Sequence, residues 1–428
     1  MSATFSVSII GGGYVGLVTG ACFAYLGNKV TIIEVDEQKA SSINMGIPPI
    51  YEQGLEKILK DTVGNRLTAT TSYESVSTSD IVFICVGTPP NNDGSSNLQY
   101  IRSAAISIGT SLMNHPGYPV VTVKSTVPPG TCEKIVIPEV LGNSLKTANC
   151  VGFCMNPEFL REGRAIEDFL HPDRIVIGSS DKRAETILRT LYTSLNGNVI
   201  CTSLTAAEMI KYTANAFLAT KISFSNEIGN ICKKLGVDVY EVMKGVGLDH
   251  RIGPHFLNAG AGFGGSCFPK DVSALISLAK EVGEDPILLR SVIEVNEQQP
   301  LKMVNLVKKK LGSVKGKKIA ILGLAFKDNT DDIRDSRSIP VINALIQDGA
   351  DVHAYDPMAS EHMKTIIPSI SYAESVSAAL QDADCCLVMT EWPQFSHLSD
   401  EFSLMKQPAV ILEGRRMLNR DDVEGICW

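Results

Sequence analysis

Gly11, Gly13 and Gly16 form a Gly-x-Gly-x-x-Gly array set between a short apolar run, Phe5 to Ile10, and a stretch of small and apolar residues at helical spacing, Tyr14 to Tyr25. This array restricts the fold more than any other feature of the chain. A strand that turns on one glycine and re-enters as a helix needs the first glycine for the tight turn, the second to leave the backbone bare, and the third to let helix and strand pack closely. Lys29 to Val35 is strand-like again, so the opening residues predict a βαβ unit. The Met1 to Ile10 stretch carries no cationic leader and runs straight into the glycines, so it reads as a first strand and not as a signal peptide.

Such a helix start supplies N–H donors and partial positive charge to phosphates, which makes the array a dinucleotide fingerprint. Gly11, Gly13 and Gly16 are accordingly read as cofactor-binding, together with Tyr14 and Val15 between them. Glu34 closes the second strand, where an acid accepts a hydrogen bond from the ribose 2′-OH and repels a 2′-phosphate. NAD is therefore expected over NADP. FAD uses a similar fingerprint and is set aside only by the rest of the chain.

A chain of 428 residues exceeds what one hydrophobic core organises. Ile81 to Val86, Val120 to Val123 and Ile175 to Gly178 read as further buried strands of a mostly parallel sheet. From Leu204 to Lys234, and again from Pro286 to Leu311, strand signals vanish and long helices are expected, with Pro300 an interior warning. After Lys315 to Lys318 the opening pattern returns: Ile319 to Leu322 then Gly323, a helix over Ser338 to Gln347, and Asp351 to Tyr355. Ser79-Asp80 before Ile81 to Val86 is echoed by Asp382-Ala383-Asp384 before Cys385 to Met389, and Val120 to Val123 before Lys124-Ser125-Thr126 by Ala409 to Leu412 before Glu413-Gly414-Arg415. The expected fold is α/β: two Rossmann-like, doubly wound parallel-sheet domains joined by a central helical region with a long connecting helix. The boundaries read as 1–203, 204–311 and 312–428.

A net charge of −8 provides no general field for nucleic acid or anionic lipid. The eleven cysteines are scattered and lack the paired spacing of zinc or redox sites, which suits reduced thiols in the cytoplasm, and no metal is expected. No apolar run reaches the roughly 18 residues that span a bilayer.

Cys267 lies in a glycine-rich stretch, Gly260 to Asp271, leading into an expected helix; glycine density admits a ligand to the backbone, and Lys270 or the helix start favours thiolate. Around it, eight motifs occur in order: Gly11 to Leu17, Gly87-Thr88-Pro89, Ser125 to Thr131, Asn156 to Gly163, His171 to Gly178, Glu208 to Phe217, Gly264 to Asp271, and Gly323 to Arg334. Together they resemble the UDP-glucose/GDP-mannose dehydrogenase family along essentially the whole length.

The resemblance implies an NAD-dependent, four-electron oxidation of a nucleotide sugar C6 alcohol to the carboxylate. Cys267 matches the nucleophile that traps the aldehyde as a thiohemiacetal and then holds a thioester. Lys211 and Asn215, one helical turn apart, match the pair that stabilises the oxyanion. Asp271 matches a residue implicated with water in proton removal, and Thr126 and Glu162 match the group that handles the hydrolytic water, without a choice of principal base. Glu158, Phe159, Leu160, Arg161, Arg251, Phe263, Gly264 and Lys327 match substrate-binding positions alongside Lys211 and Asn215. Family members can supply the arginine from a neighbouring subunit, so a homodimer or larger homo-oligomer built on the long helices is implied. Lys39, Thr88, Thr126, Lys270 and Arg334 match cofactor-side positions. Glu34 departs from the more familiar Asp, keeping the charge at a longer reach.

Within the family, His171 to Arg174 and Cys267 to Lys270 are most similar to the UDP-glucose branch; GDP-mannose and UDP-N-acetylhexosamine remain the alternatives. A two-electron 2-hydroxy acid or 6-phosphogluconate-like dehydrogenase would need neither a nucleophilic cysteine nor a second α/β domain, and a non-catalytic NAD-binding regulator would leave Cys267, Lys211 and Asn215 without a task.

Overall fold

The structure, a computed structural model, describes residues 4–428; Met1, Ser2 and Ala3, the start of the stretch read as a first strand, lie outside the described residues. Contacts divide the chain into two compact units, one ending at Ala214 and the other beginning at Asn215.

The first unit holds β1 (Ser6–Ile10), β2 (Lys29–Ile33), β3 (Leu67–Thr70), β4 (Ile81–Ile84), β5 (Val120–Val123), β6 (Gly152–Met155), β7 (Arg174–Ser179) and β8 (Asn198–Thr202). They form one sheet in the order β3-β2-β1-β4-β5-β6-β7-β8. Every pairing is parallel except that of β6 with β7. β4 and β5 are wholly buried and, Thr122 apart, apolar, as strands of a sheet covered on both faces are. The chain winds outward from β1 in both directions, and Gly11 sits at the carboxyl end of β1, the switch point where such sheets bind ligands. The helix Tyr14–Tyr25 is buried continuously from Gly16 to Ala24, which explains its lack of a polar face.

The second unit repeats the plan with β9 (Lys318–Leu322), β10 (Asp351–Tyr355), β11 (Ser371–Tyr372), β12 (Cys385–Val388), β13 (Ile411–Glu413) and β14 (Val423–Gly425), ordered β11-β10-β9-β12-β13-β14 and all parallel. The echo reaches single bonds. Gly11 has φ 99° and donates to the Ile33 carbonyl; Gly323 has φ 101° and donates to the Tyr355 carbonyl. It ends there, because no helix follows Gly323 until Ser338–Gln347, and Asp356 Oδ2 takes the Leu324 and Ala325 amides at 2.7 and 3.0 Å. The backbone donors that would meet a phosphate are already bound to the protein's own carboxylate.

The long helices are Leu204–Leu235, within which the division of units falls, and Ile287–Leu311, where buried Pro300 lies inside the helix without ending it. Among the described residues, no helix is long and apolar enough to cross a membrane.

Candidate active site

The three fingerprint glycines are required for different reasons. A Cβ on Gly11 would lie 2.8 Å from the Cys85 carbonyl oxygen, at a φ that side chains avoid. A Cβ on Gly16 would lie 1.9 Å from the Gly11 carbonyl oxygen. At Gly13 nothing lies within 4 Å, and this residue starts the Tyr14–Tyr25 helix with no side-chain cap. The helix therefore presents open space and uncapped first-turn amides, which suits a pyrophosphate. Tyr14 and Val15 beside it are half-buried.

Glu34 is buried, with Oε2 accepting from the Gly12 amide at 2.8 Å and Oε1 from the Asp36 amide at 3.0 Å. Its longer side chain is thus fixed at the glycine turn, with lone pairs left on both oxygens for ribose hydroxyls. Replacing Glu34 with Ala is expected to lower kcat/KM for NAD roughly tenfold or more through the loss of charged hydrogen bonds, with a much smaller effect on kcat. Wild type should prefer NAD clearly, and equal kcat/KM for NAD and NADP would sink this assignment. Lys39 lies exposed in the helix Glu37–Asn44. Thr88 is buried and donates to the Thr126 carbonyl at 2.9 Å, joining two of the loops read as functional.

The Asn156–Gly163 segment is clasped at its far end by Glu52, a residue the sequence reading did not single out. Glu52 accepts from the Gly163 and Ala165 amides at 2.8 and 2.9 Å and is hydrogen-bonded by Tyr14. Burial first, and then the Glu52 carboxylate, push the Tyr14 phenol well up, so it stays a donor. The half-buried Glu162 precedes this clasp. Glu158 ion-pairs with Lys211 at 2.9 Å, and both are buried. Burial alone would raise the Glu158 carboxyl, but the Lys211 ammonium, the Leu160 amide and Lys124 together hold it below the usual range. Phe159 lies under the Arg174 guanidinium at 3.8 Å, and exposed Arg161 pairs with Asp168 at 2.6 Å.

In the second unit Cys267, partly exposed, begins the helix Phe268–Glu281, at the end that carries partial positive charge. Ser266 Oγ lies 3.5 Å from its sulfur. Asp271 is buried one turn on; Asn215 Nδ2 donates to its Oδ2 at 2.6 Å and Lys270 Nζ to its Oδ1 at 2.5 Å. Lys211 and Asn215 are thus both buried residues, each with a carboxylate partner, rather than a solvated helix face.

The glycine density before Cys267 serves packing more than ligand approach. A Cβ on Gly264 would lie 2.2 Å from the Asp335 carbonyl oxygen, and one on Gly265 would lie 2.7 Å from the Phe326 ring. This packing shapes a cavity of about 450 Å³ lined by Tyr240, Phe256, Phe263, Gly264, Phe268, Phe326, Lys327, Glu391, Arg415 and Arg416, among others. Aromatic faces with three cations suit a base and a diphosphate. Phe263, Gly264 and Lys327 were expected here; Tyr240, Phe326, Arg415 and Arg416 were not. Their signal was available, because Arg415 follows the carboxyl end of β13, where ligand loops of open sheets lie. Arg415 donates to the Gly262 carbonyl at 2.7 Å, and Arg416 pairs with Asp238 at 2.5 Å. Of the expected substrate positions, Glu158, Phe159, Leu160, Arg161, Lys211, Asn215 and Arg251 do not line this cavity; Arg251 is exposed and paired with Asp249 at 2.5 Å, and Arg334, expected on the cofactor side, is exposed and paired with Asp332 at 2.7 Å.

Three successive family models match the chain. They describe the NAD binding domain, the central domain and the UDP binding domain of the UDP-glucose/GDP-mannose dehydrogenase family, over residues 5–196, 205–298 and 320–420. The chain is 45% identical to the UDP-glucose 6-dehydrogenase AglM of Haloferax volcanii, covering 97% of each protein. It is 45% identical to the UDP-glucose 6-dehydrogenase TuaD of Bacillus subtilis, covering 98% of this chain and 90% of that one. Among solved structures, a UDP-glucose dehydrogenase from the hyperthermophilic archaeon Pyrobaculum islandicum superposes with a TM-score of 0.95 at 40% identity, covering 100% of this chain and 98% of that one.

Proposed function

Because the chain belongs to the UDP-glucose/GDP-mannose dehydrogenase family, we propose that it oxidises the C6 alcohol of UDP-glucose to the carboxylate of UDP-glucuronate, with Cys267 as covalent nucleophile. The observation that carries this reading is Cys267 at the start of its helix beside the buried Asp271, whose two oxygens are held by Asn215 and Lys270. NAD, when bound, would accept the hydride of the first oxidation, and a second NAD that of the second. Gly11, Gly13 and Gly16 admit its pyrophosphate, Glu34 takes its ribose, and Tyr14, Val15, Lys39, Thr88, Lys270 and Arg334 contribute from the cofactor side.

The chain's own chemistry then runs as follows. The first oxidation leaves an aldehyde, to which the Cys267 thiolate adds, and Lys211 and Asn215 stabilise the resulting oxyanion. Loss of the second hydride turns the thiohemiacetal into a thioester. Water handled by Thr126 and Glu162 hydrolyses it, releasing the acid and the thiolate, and Asp271 acts with water in proton removal. Glu158 to Arg161, Phe263, Gly264 and Lys327 hold the nucleotide sugar. By task, residues 1–203 bind NAD, 204–311 carry the nucleophile and the subunit contacts, and 312–428 take the nucleotide, in a cytoplasmic enzyme.

UDP-glucose is favoured because relatives of 45% identity bear that name. NADH formation on UDP-glucose, GDP-mannose, UDP-N-acetylglucosamine, UDP-N-acetylmannosamine and UDP-galactose tests the choice; a higher kcat/KM on any of the others reassigns the sugar.

A homodimer is part of this reading. Phe217, Phe224 and Ile231 recur every seven residues on the helix Leu204–Leu235 and are each half or more exposed, an apolar stripe suited to a second copy. Arg251 is assigned to the partner's sugar site. Mixing Arg251→Ala chains with Cys267→Ala chains should restore activity through hybrids containing one intact site. Absence of rescue in demonstrated hybrids, with the Arg251→Ala chain otherwise intact, would return Arg251 to its own subunit or to no role.

A further inference from the structure

Lys124, just past the end of β5, has its ammonium buried against a cavity of about 210 Å³ whose walls include Glu158, Phe159 and Arg174. Its Nζ donates to Asn156 Oδ1 at 3.0 Å and lies 3.4 Å from both the Asn156 carbonyl oxygen and the Tyr192 hydroxyl. Tyr192 donates to the same Asn156 oxygen at 2.5 Å, while Asn156 Nδ2 donates to the Val176 carbonyl at 2.8 Å. Both ends of the Asn156 amide are therefore fixed, two residues before Glu158. The charged or titratable groups around Lys124 are Cys85, Glu158, Lys211 and Tyr192. Two buried ammonium groups thus share the field of one carboxylate, and one of them, Lys211, pairs with it directly.

We propose that Lys124 is a positioning residue for the Glu158–Lys211 pair, fixing the head of the Asn156–Gly163 segment and placing a second buried positive charge beside the pair, so that Glu158 stays aimed at Lys211. The inference rests on the reading of Lys211 as the group that stabilises the oxyanion. Burial pushes the Lys124 ammonium down to about 8, Cys85 and Glu158 draw it back up, and Lys211 pushes it further down. Lys124 therefore changes charge in the working range, and the pair it positions feels that change. Loss of the charge withdraws an attraction from the Glu158 carboxylate and a repulsion from the Lys211 ammonium, altering the proton affinity of both.

The test is the kcat–pH profile of Lys124 variants. Wild type should bend near pH 8. In Lys124→Met, which cannot titrate, the bend should vanish and kcat fall about tenfold with KM for NAD little changed. Lys124→Arg keeps the charge at all accessible pH, so it should recover most of kcat and also lack the bend. A bend that persists in Lys124→Met overturns the proposal, as does a Met variant with wild-type kcat. If Lys124→Met does not fold, Tyr192→Phe decides, since it leaves Lys124 in place while removing the hydroxyl that Lys124 can donate to and that itself donates to Asn156. The ammonium becomes harder to keep and the bend moves to lower pH; an unmoved bend overturns the proposal. Lys211→Met run in parallel separates the two readings. If it turns over normally, the role of Lys211 fails; if it is inactive while Lys124→Met keeps rate and bend, only the inference about Lys124 fails.

Discussion

Cys267→Ala is expected to lose the four-electron reaction almost entirely, roughly a thousandfold or more in the rate of carboxylate formation. The reason is chemical. An aldehyde can be oxidised again by hydride loss only after a nucleophile has made its carbon tetrahedral, and a thiolate at a helix start both adds readily and leaves readily from the acyl stage. Cys267→Ser keeps a group of similar size but makes an ester-like adduct with a poor leaving group, so turnover should stall on a covalent sugar. Mass spectrometry after incubation with UDP-glucose and NAD should find that adduct on Cys267→Ser and none on Cys267→Ala. Folding should survive both changes, because Cys267 is partly exposed and lies at a helix start outside the hydrophobic cores. Wild type should yield two NADH per sugar and almost no free aldehyde. Near-normal release of two NADH per sugar by Cys267→Ala would overturn the covalent reading and favour a simple alcohol dehydrogenase.

What the sequence disclosed of this site follows from what local pattern can encode. The helices Tyr14–Tyr25 and Ser338–Gln347 and the strands Val120–Val123 and Asp351–Tyr355 have the boundaries expected from the residues, because each is a periodic or apolar run bounded by glycine or polar residues. Other elements gave no such signal. β8 lies at the sheet edge with its first four residues exposed, so it lacks the apolar run by which β4 and β5 are recognised. β3, also at an edge, alternates too briefly to read as a strand. The repeated strand–glycine turn was legible, but not that Asp356 fills the second turn with its own carboxylate, because that depends on a bond between residues far apart in the chain. Glu52 and Lys124 escaped for the same reason. Each is a single charged residue whose place is set by backbone amides or side chains more than thirty positions away. The packing role of Gly264 and Gly265 was hidden because Asp335 and Phe326, which fill their missing side chains, belong to another loop.

The fingerprint glycines yield the other large effect, and the structure divides it between folding and binding. Gly16→Ala places a methyl 1.9 Å from the Gly11 carbonyl oxygen and 3.0 Å from the Cys85 Cβ, and backbone cannot step aside as a flexible side chain could. The Tyr14–Tyr25 helix would have to lift from β1, opening a core in which Leu17, Val18 and Ala21 are fully buried. Several kcal/mol of destabilisation is expected, about the whole stability of an ordinary domain, so this variant should melt far below wild type or fail to accumulate as soluble protein. Gly13→Ala meets nothing within 4 Å, and φ at Gly13 is −70°, which alanine adopts freely. Its methyl would instead occupy the space left for the pyrophosphate. It should therefore keep a near-native melting temperature while KM for NAD rises tenfold or more, on the order of 1.4 kcal/mol of lost binding. Thermal unfolding and NAD titration of the two variants separate these effects. A stable Gly16→Ala protein that binds NAD normally, or a Gly13→Ala protein with unchanged NAD affinity, would contradict the division of labour that the turn geometry assigns.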